Sequence, residues 1–243
     1  MDSQGHILIV EDEEAIRTGL IDVFVYHGFE VDFAEDGAVG LEKSLSGKFD
    51  LIILDVMLPS MNGFDICKGI REKDKAQPII MLTAKTADED IIQGLSLGAD
   101  DYVGKPFSVA QLVLRVQAVL RRSLNNKDSC EFIYLTPNRS IDLQNLVINT
   151  ECGETPFTKR EMQVLAYLNQ NKQRPVSRDE LLTEVWGYQA DMEIETRTVD
   201  IHIAKIRKKI EVDPKQPQFL ATIRGAGYKL ITTTVDEQSS DDQ

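Results

Sequence analysis

Cysteine, tryptophan and histidine are scarce in this 243-residue chain, which has three Cys, one Trp and three His. Cys67, Cys130 and Cys152 are widely spaced and odd in number, which excludes a disulfide framework and a zinc cluster and fits a reducing, cytoplasmic setting. No apolar run approaches the roughly 20 residues of a membrane span. The opening Met-Asp-Ser-Gln-Gly-His lacks the basic and apolar regions of a signal peptide. A cytoplasmic protein with no membrane partner is therefore expected. Phosphate-cradling glycine loops and nucleophilic-serine motifs are missing as well. Positive charge is in deficit, with 27 Lys+Arg against 40 Asp+Glu and a net charge of -13. That deficit does not exclude a DNA partner, because affinity follows the phosphates actually neutralised rather than total charge. Most of the excess lies early: residues 1–122 hold 12 basic and 21 acidic side chains.

What is present divides into two halves. In the first, strand-like runs at 7–10, 30–34, 51–55, 79–83 and 101–105 alternate with helical patterns at 13–27, 37–46, 64–73, 88–97 and 109–122. Gly28 and Gly98 stand where helix C-caps belong. Such alternation predicts an α/β doubly wound, five-stranded parallel sheet over residues 1–122. A polar, aperiodic stretch at 123–130 is the expected linker. From 131 to 234 the pattern changes: short alternating runs (132–157), three helical patterns (159–169, 178–186, 196–211), and two runs flanking Arg224-Gly225-Ala226-Gly227. A small antiparallel sheet, helices and a terminal hairpin predict an α+β winged helix-turn-helix. Residues 235–243 form an acidic tail expected to be disordered.

Several runs in the first half end in functional groups. Ile7 to Val10 leads into Glu11 and Asp12, and Leu51-Ile52-Ile53-Leu54 into Asp55. The run at 79–83 ends in Thr83, and Tyr102-Val103-Gly104 ends in Lys105 before Pro106. Parallel strands bring their carboxyl ends to one edge of a sheet. Alone, Asp55 reads equally well as a carboxylate bonding its own turn, and Glu11 as an acid of a helix's first turn. Three carboxylates and an ammonium in one cleft are disfavoured by repulsion, and a hard cation resolves the conflict. Magnesium takes oxygen ligands and keeps several waters. It would offset repulsion between Asp55 and an incoming phosphoryl group, whose oxygens Lys105 and Thr83 can hold.

These residues, Glu11-Asp12, Asp55, Thr83-Ala84 and Lys105-Pro106, resemble the signature of a response-regulator receiver domain. The resemblance implies that Asp55 is the phosphoacceptor of a sensor histidine kinase. It implies further that Glu11, Asp12, Asp55 and the Met57 carbonyl hold Mg2+, and that Lys105 and Thr83 sense the phosphate. Tyr102, by itself a packing aromatic, would occupy the switch position and turn inward as Thr83 moves.

In the second half, Val199, Ile203, Ile206 and Ile210 recur at steps of four, three and four, a core-facing stripe. Arg197, Ile201, Ala204 and Lys208 fall on the opposite face, with Lys205 beside them. From Arg197 to Lys209 there are five basic residues and one acid, Asp200. An ordinary solvated basic helix would account for the charge. Ile201 amid cations fits a major groove, where an apolar side chain meets a thymine methyl and cations take phosphates or guanine edges. Arg224 at the hairpin can reach a minor groove. His202 reads as a helix-flank contact or a phosphate donor, and Trp186, Tyr188 and Tyr228 as core aromatics. Phe157-Thr158-Lys159-Arg160-Glu161, Glu184-Val185-Trp186-Gly187-Tyr188, Arg197-Thr198-Val199-Asp200 and Thr222-Ile223-Arg224-Gly225-Ala226-Gly227-Tyr228 resemble the OmpR/PhoB winged-helix effector domain.

That resemblance implies promoter DNA as partner, with Arg197, Thr198, Ile201, Lys205, Arg207, Lys208 and Arg224 as contact candidates, and RNA polymerase meeting residues 186–194. It also implies a homodimer on phosphorylation, through a face holding Ile91, Asp101, Gln111 and Arg115. The family usually has a basic residue at 91 and an acid at 111, so that ion pair is absent here while Asp101 and Arg115 remain available. A dimer face more apolar and less salt-sensitive than usual is expected. An aspartyl-phosphate phosphatase is the rival reading. Such enzymes usually carry a second aspartate two residues beyond the nucleophile, where this chain has Met57. The expectation is a regulator, not an enzyme beyond its own phosphorylation and dephosphorylation.

Overall fold

A computed structural model describes residues 4–84, 88–121, 132–188 and 197–233, with backbone only at 88–92 and 121. The chain divides into two compact units, Met1–Asn126 with Trp186–Tyr188, and Lys127–Val185 with Gln189–Gln243. The expected linker, the acidic tail and most of the polymerase-contact stretch lie outside the described residues.

The first unit is built on five strands, β1 (His6–Val10), β2 (Glu30–Ala34), β3 (Leu51–Asp55), β4 (Ile79–Thr83) and β5 (Asp101–Gly104). They pair in the order β2-β1-β3-β4-β5, every pair parallel. Five helices connect and follow them: α1 (Glu14–Tyr26), α2 (Gly37–Ser44), α3 (Gly63–Lys73), α4 (Asp88–Leu97) and α5 (Val109–Arg121). The central strands are buried on both faces, as their uninterrupted apolar runs require. One face packs Ile7, Ile9, Leu51, Ile53, Ile80 and Leu82 against Leu20 and Phe24 of α1 and Leu112, Val113 and Val116 of α5. Val109, which opens the first turn of α5, is 37% exposed.

The second unit has a four-stranded antiparallel sheet, β6 (Phe132–Thr136), β7 (Arg139–Asp142), β8 (Val147–Thr150) and β9 (Gly153–Pro156), paired in chain order. Then come α6 (Lys159–Gln170), α7 (Arg178–Leu181), a π-helical turn Leu182–Trp186, and α8 (Arg197–Ile210). A hairpin of β10 (Leu220–Ile223) and β11 (Gly227–Leu230) completes the winged helix. α6 opens with a reciprocal capping box, Thr158 bonding the Glu161 amide and Glu161 returning to the Thr158 amide. β11 seals onto the segment just ahead of α7 through paired backbone bonds between Val176 and Tyr228, each 2.8 Å. Gly227 lies there at φ +120°, where a Cβ would stand 2.0 Å from the Val176 carbonyl oxygen. The wing base therefore admits glycine only.

Candidate functional site

The parallel topology delivers the ends of β1, β3, β4 and β5 to one edge of the sheet. Glu11 is fully buried, Asp55 and Thr83 are nearly so, and Asp12 faces solvent. The three carboxylates offer oxygens that all lie within 4.8 Å of one another. Lys105 enters from the end of β5. Its Nζ donates to Asp55 Oδ2 at 2.7 Å and to the two Glu11 oxygens at 2.9 and 2.8 Å. The other Asp55 oxygen accepts from the Met57 amide at 3.2 Å. Loop β3–α3 closes tightly behind the aspartate, since a Cβ on Gly63 would stand 2.1 Å from the Asp55 carbonyl oxygen.

Electrostatics follow from the packing. Burial pushes the Glu11 carboxyl up to about 7, opposed by its bond from Lys105 and assisted by the Asp55 charge. For Lys105, burial works against the charged form, but bonds to Asp55 and Glu11 outweigh it and raise the ammonium above its ordinary range. The donor set, three carboxylates with one side open to water at Asp12, suits a hard, oxygen-seeking divalent ion. Lys105 bonds the Glu11–Asp55 pair and compensates part of its charge.

Tyr102, at the middle of β5, is buried. Its ring is seated against α4 at Gly94, where a Cβ would stand 2.9 Å from Cε2, so a side chain there would displace it. Of the dimer-face candidates, Asp101 and Arg115 are already joined within one chain, Nη1 to Oδ2 at 3.0 Å, with both side chains largely buried. β5 and α5 place them side by side, so the pair foreseen across a dimer is intramolecular here. Gln111 is exposed, and the Ile91 side chain lies outside the described residues.

In the second unit the expected stripe of α8 is buried: Val199, Ile203, Ile206 and Ile210 are at most 1% exposed. A second row runs beside it with the same steps of four, three and four, namely Thr198, His202, Lys205 and Lys209. Thr198 and His202 are buried, and Lys205 and Lys209 turn toward Glu161 of α6. Glu161 is wholly buried, with Lys209 Nζ at 2.6 Å and Lys205 Nζ at 3.6 Å. Burial pushes this carboxyl up, but the charges of Lys209 and Lys205 win and hold it below its usual range. His202 Nδ1 lies 2.9 Å from the Thr198 carbonyl oxygen, and burial together with Lys205 depresses the imidazole to about 3. His202 is thus a neutral interior residue, not the flank contact or phosphate donor that sequence reading made it.

Arg207 is turned to the wing, with Nε and Nη2 on the Leu220 carbonyl at 2.9 and 2.7 Å and Nη2 on Thr222 Oγ1 at 2.7 Å. Asp200 accepts from Arg178 Nε at 2.7 Å. Arg197, Ala204, Lys208 and Arg224 are exposed and Ile201 half-buried, forming the outward row. Seven candidates for one DNA face therefore fall into two groups. Arg197, Ile201, Lys208 and Arg224 face outward, while Thr198, Lys205 and Arg207 have partners or burial inside the fold.

Comparison with known proteins covers both units. Residues 7–117 match the response regulator receiver domain, and residues 153–230 the C-terminal domain of transcriptional regulatory proteins. The chain is 42% identical over 238 residues to the alkaline phosphatase synthesis transcriptional regulatory protein PhoP of Bacillus subtilis, covering 95% of this chain and 98% of that protein. With the sensory transduction protein RegX3 of Mycolicibacterium smegmatis it shares 39% identity, covering 92% and 98% respectively. Among solved structures, a RitR C128D mutant superposes with a TM-score of 0.71 at 28% identity, covering 93% of this chain and 98% of that one. A five-stranded receiver ending in an acidic cluster, a winged helix later in the chain, and a match along almost the whole length to a named transcriptional regulatory protein lead to one assignment. The chain belongs to the OmpR/PhoB family of two-component response regulators and is a DNA-binding transcriptional regulator.

Proposed function

We propose that Asp55 accepts a phosphoryl group from a sensor histidine kinase and that this drives receiver dimerisation and promoter binding. The observation that carries the reading is the convergence of Lys105, Glu11 and Asp55 at one strand edge, with an Asp55 oxygen 2.7 Å from the lysine ammonium. In the transfer, an Asp55 oxygen attacks phosphorus as the bond to the kinase imidazole nitrogen breaks, and that nitrogen keeps the electron pair. Lys105 and the Thr83 hydroxyl hold the phosphoryl oxygens. Glu11, Asp12, Asp55 and the Met57 carbonyl would hold Mg2+, which supplies charge compensation between carboxylate and phosphoryl group. Ile91, Asp101, Gln111 and Arg115 mark the dimer face, with Tyr102 reporting the state of Thr83. RNA polymerase is the further partner, and the compartment is the cytoplasm. Among the described residues no helix is long and apolar enough to cross a membrane.

Sedimentation with Mg2+, with and without beryllofluoride, tests the switch. The expected result is a monomer that becomes a dimer with the mimic, a shift lost in Asp55→Ala. An oligomeric state indifferent to the mimic would refute phosphoryl control while leaving DNA binding untouched.

For the DNA face, the outward row and the wing carry the contacts. Arg197→Ala and Lys208→Ala should each lower the slope of log affinity against log salt by about 0.9 per half-site, the value for one released phosphate contact. Fluorescence anisotropy on an operator fragment over a salt series measures it. An unchanged slope for both would remove this row from the interface.

A further inference from the structure

We infer that Arg17 is a positioning residue for the acidic site: it holds the backbone of the Glu11-Asp12 pair in the conformation that presents both carboxylates to a divalent cation. The inference rests on the metal reading above and adds a residue to it.

Arg17 sits in the second turn of α1, and helical side chains lean toward the helix N-terminus. It therefore reaches back over the first turn to the loop that precedes it. There Nη1 donates 2.9 Å bonds to the carbonyl oxygens of Glu11 and of Asp12. These are the two residues whose side chains form two-thirds of the acidic cluster. Arg17 is only 8% exposed. Its carboxylate neighbour does not account for that burial: Glu35 is 3.3 Å away and its side chain is 71% exposed, and an ion pair with so exposed an end contributes little. The Phe33 ring, 5.4 Å from the guanidinium carbon, supports one flank of Arg17.

The loop has few other restraints. Glu13, the N-cap of α1, makes no side-chain capping bond, so the usual device for fixing a chain's entry into a helix is missing. The Glu11 amide is tied to the Ala34 carbonyl at 3.0 Å, which anchors the strand side only. Between that anchor and the helix, the two carbonyls held by Arg17 orient successive peptide planes, and peptide-plane orientation decides where the Glu11 and Asp12 side chains point. Both bonds come from the planar Nη1, whose two hydrogens point in fixed directions, whereas a lysine ammonium rotates on a flexible stem and is less pre-organised for the same pair.

The test is divalent-ion affinity of the full chain, with Mn2+ as probe read by electron paramagnetic resonance and displaced by Mg2+. Thermal unfolding in EDTA is recorded for every variant. Arg17→Met is expected to bind at least tenfold more weakly, Arg17→Lys to recover part of the loss, and Glu35→Gln to bind like the wild type. A purely structural role would lower the unfolding temperature and leave the affinity unchanged. Equal affinity in Arg17→Met and wild type overturns the inference, as does a loss in Glu35→Gln as large as in Arg17→Met. Should Arg17→Met fail to fold, Arg17→Lys carries the test, with at least a threefold loss expected and no loss overturning it. A wild type that binds Mn2+ no better than Asp12→Asn overturns the metal reading itself, an outcome distinct from failure at Arg17 alone.

Discussion

Glu161→Gln is expected to destabilise the winged-helix unit by roughly 3–5 kcal/mol, the cost of removing one partner from a buried ionic cluster. The carboxylate has no exposed surface and receives Lys209 at 2.6 Å, Lys205 at 3.6 Å and the Thr158 amide at 2.8 Å. One side chain thus caps α6 and neutralises two cations drawn inward from α8. The amide substitute keeps shape and the capping contact but loses the charge, leaving two largely buried ammonium groups uncompensated. Hydrogen exchange of the full chain localises the effect. Amides of α6 and α8 should lose protection while those of β1, β3 and β4 keep theirs. A loss below about 1 kcal/mol would mean that both lysines swing to water along their flexible stems, and that the cluster does not fasten α8. Because α8 lies on α6 through this contact, operator affinity should fall in parallel with protection.

The same cluster shows where sequence reading reaches its end. Strand positions, helix positions and the acidic edge were legible, because apolar runs and carboxylates at their ends follow simple periodicities, while the order of the strands in the sheet was not. Leu51 to Asp55 read as a strand buried on both faces, and the structure has it so, whereas Asp55 alone left a turn-bonding role equally open until the other strand ends were read with it. The core row of α8 was legible for the same reason. Its neighbouring row, Thr198, His202, Lys205 and Lys209, has identical spacing but polar side chains, so hydropathy gave it no weight. Its burial depends on Glu161, some forty residues earlier, meeting it across a helix packing that no local pattern encodes. Arg17 was missed similarly, since its partners are backbone carbonyls, which every sequence has. The Asp101–Arg115 pair was foreseen as a pair, but residue types alone do not say whether partners belong to one chain or two. Lys105 was expected beside the acids from its place at the end of β5, yet its simultaneous hold on Glu11 and Asp55 needed coordinates.

His202 gives the second large effect, a dependence of effector stability on pH. Its imidazole is wholly buried and depressed to about 3 from an ordinary 6.5. Between those values the unfolded chain binds a proton that the folded chain does not, so stability rises with pH and is lost as pH falls below 6.5. The slope approaches about 1.4 kcal/mol per pH unit, which amounts to a fall of about 2 kcal/mol between pH 7 and pH 5. Glu161 contributes with the same sign but at lower pH, because its depressed carboxyl is protonated on unfolding only near the ordinary carboxylate range. Within the second unit the interval from pH 6.5 to 5 therefore isolates the histidine; Glu11 of the first unit, raised to about 7, titrates there with the opposite sign, so exchange of the α8 amides rather than the global transition carries the reading. Urea denaturation of the full chain across that interval, followed by exchange of α8 amides, should show the decline, and His202→Gln should flatten it whatever its effect on absolute stability. A wild-type curve that is already flat there would mean that His202 takes up its proton in the folded state, and that the imidazole has access to water which its burial beneath Lys205 denies.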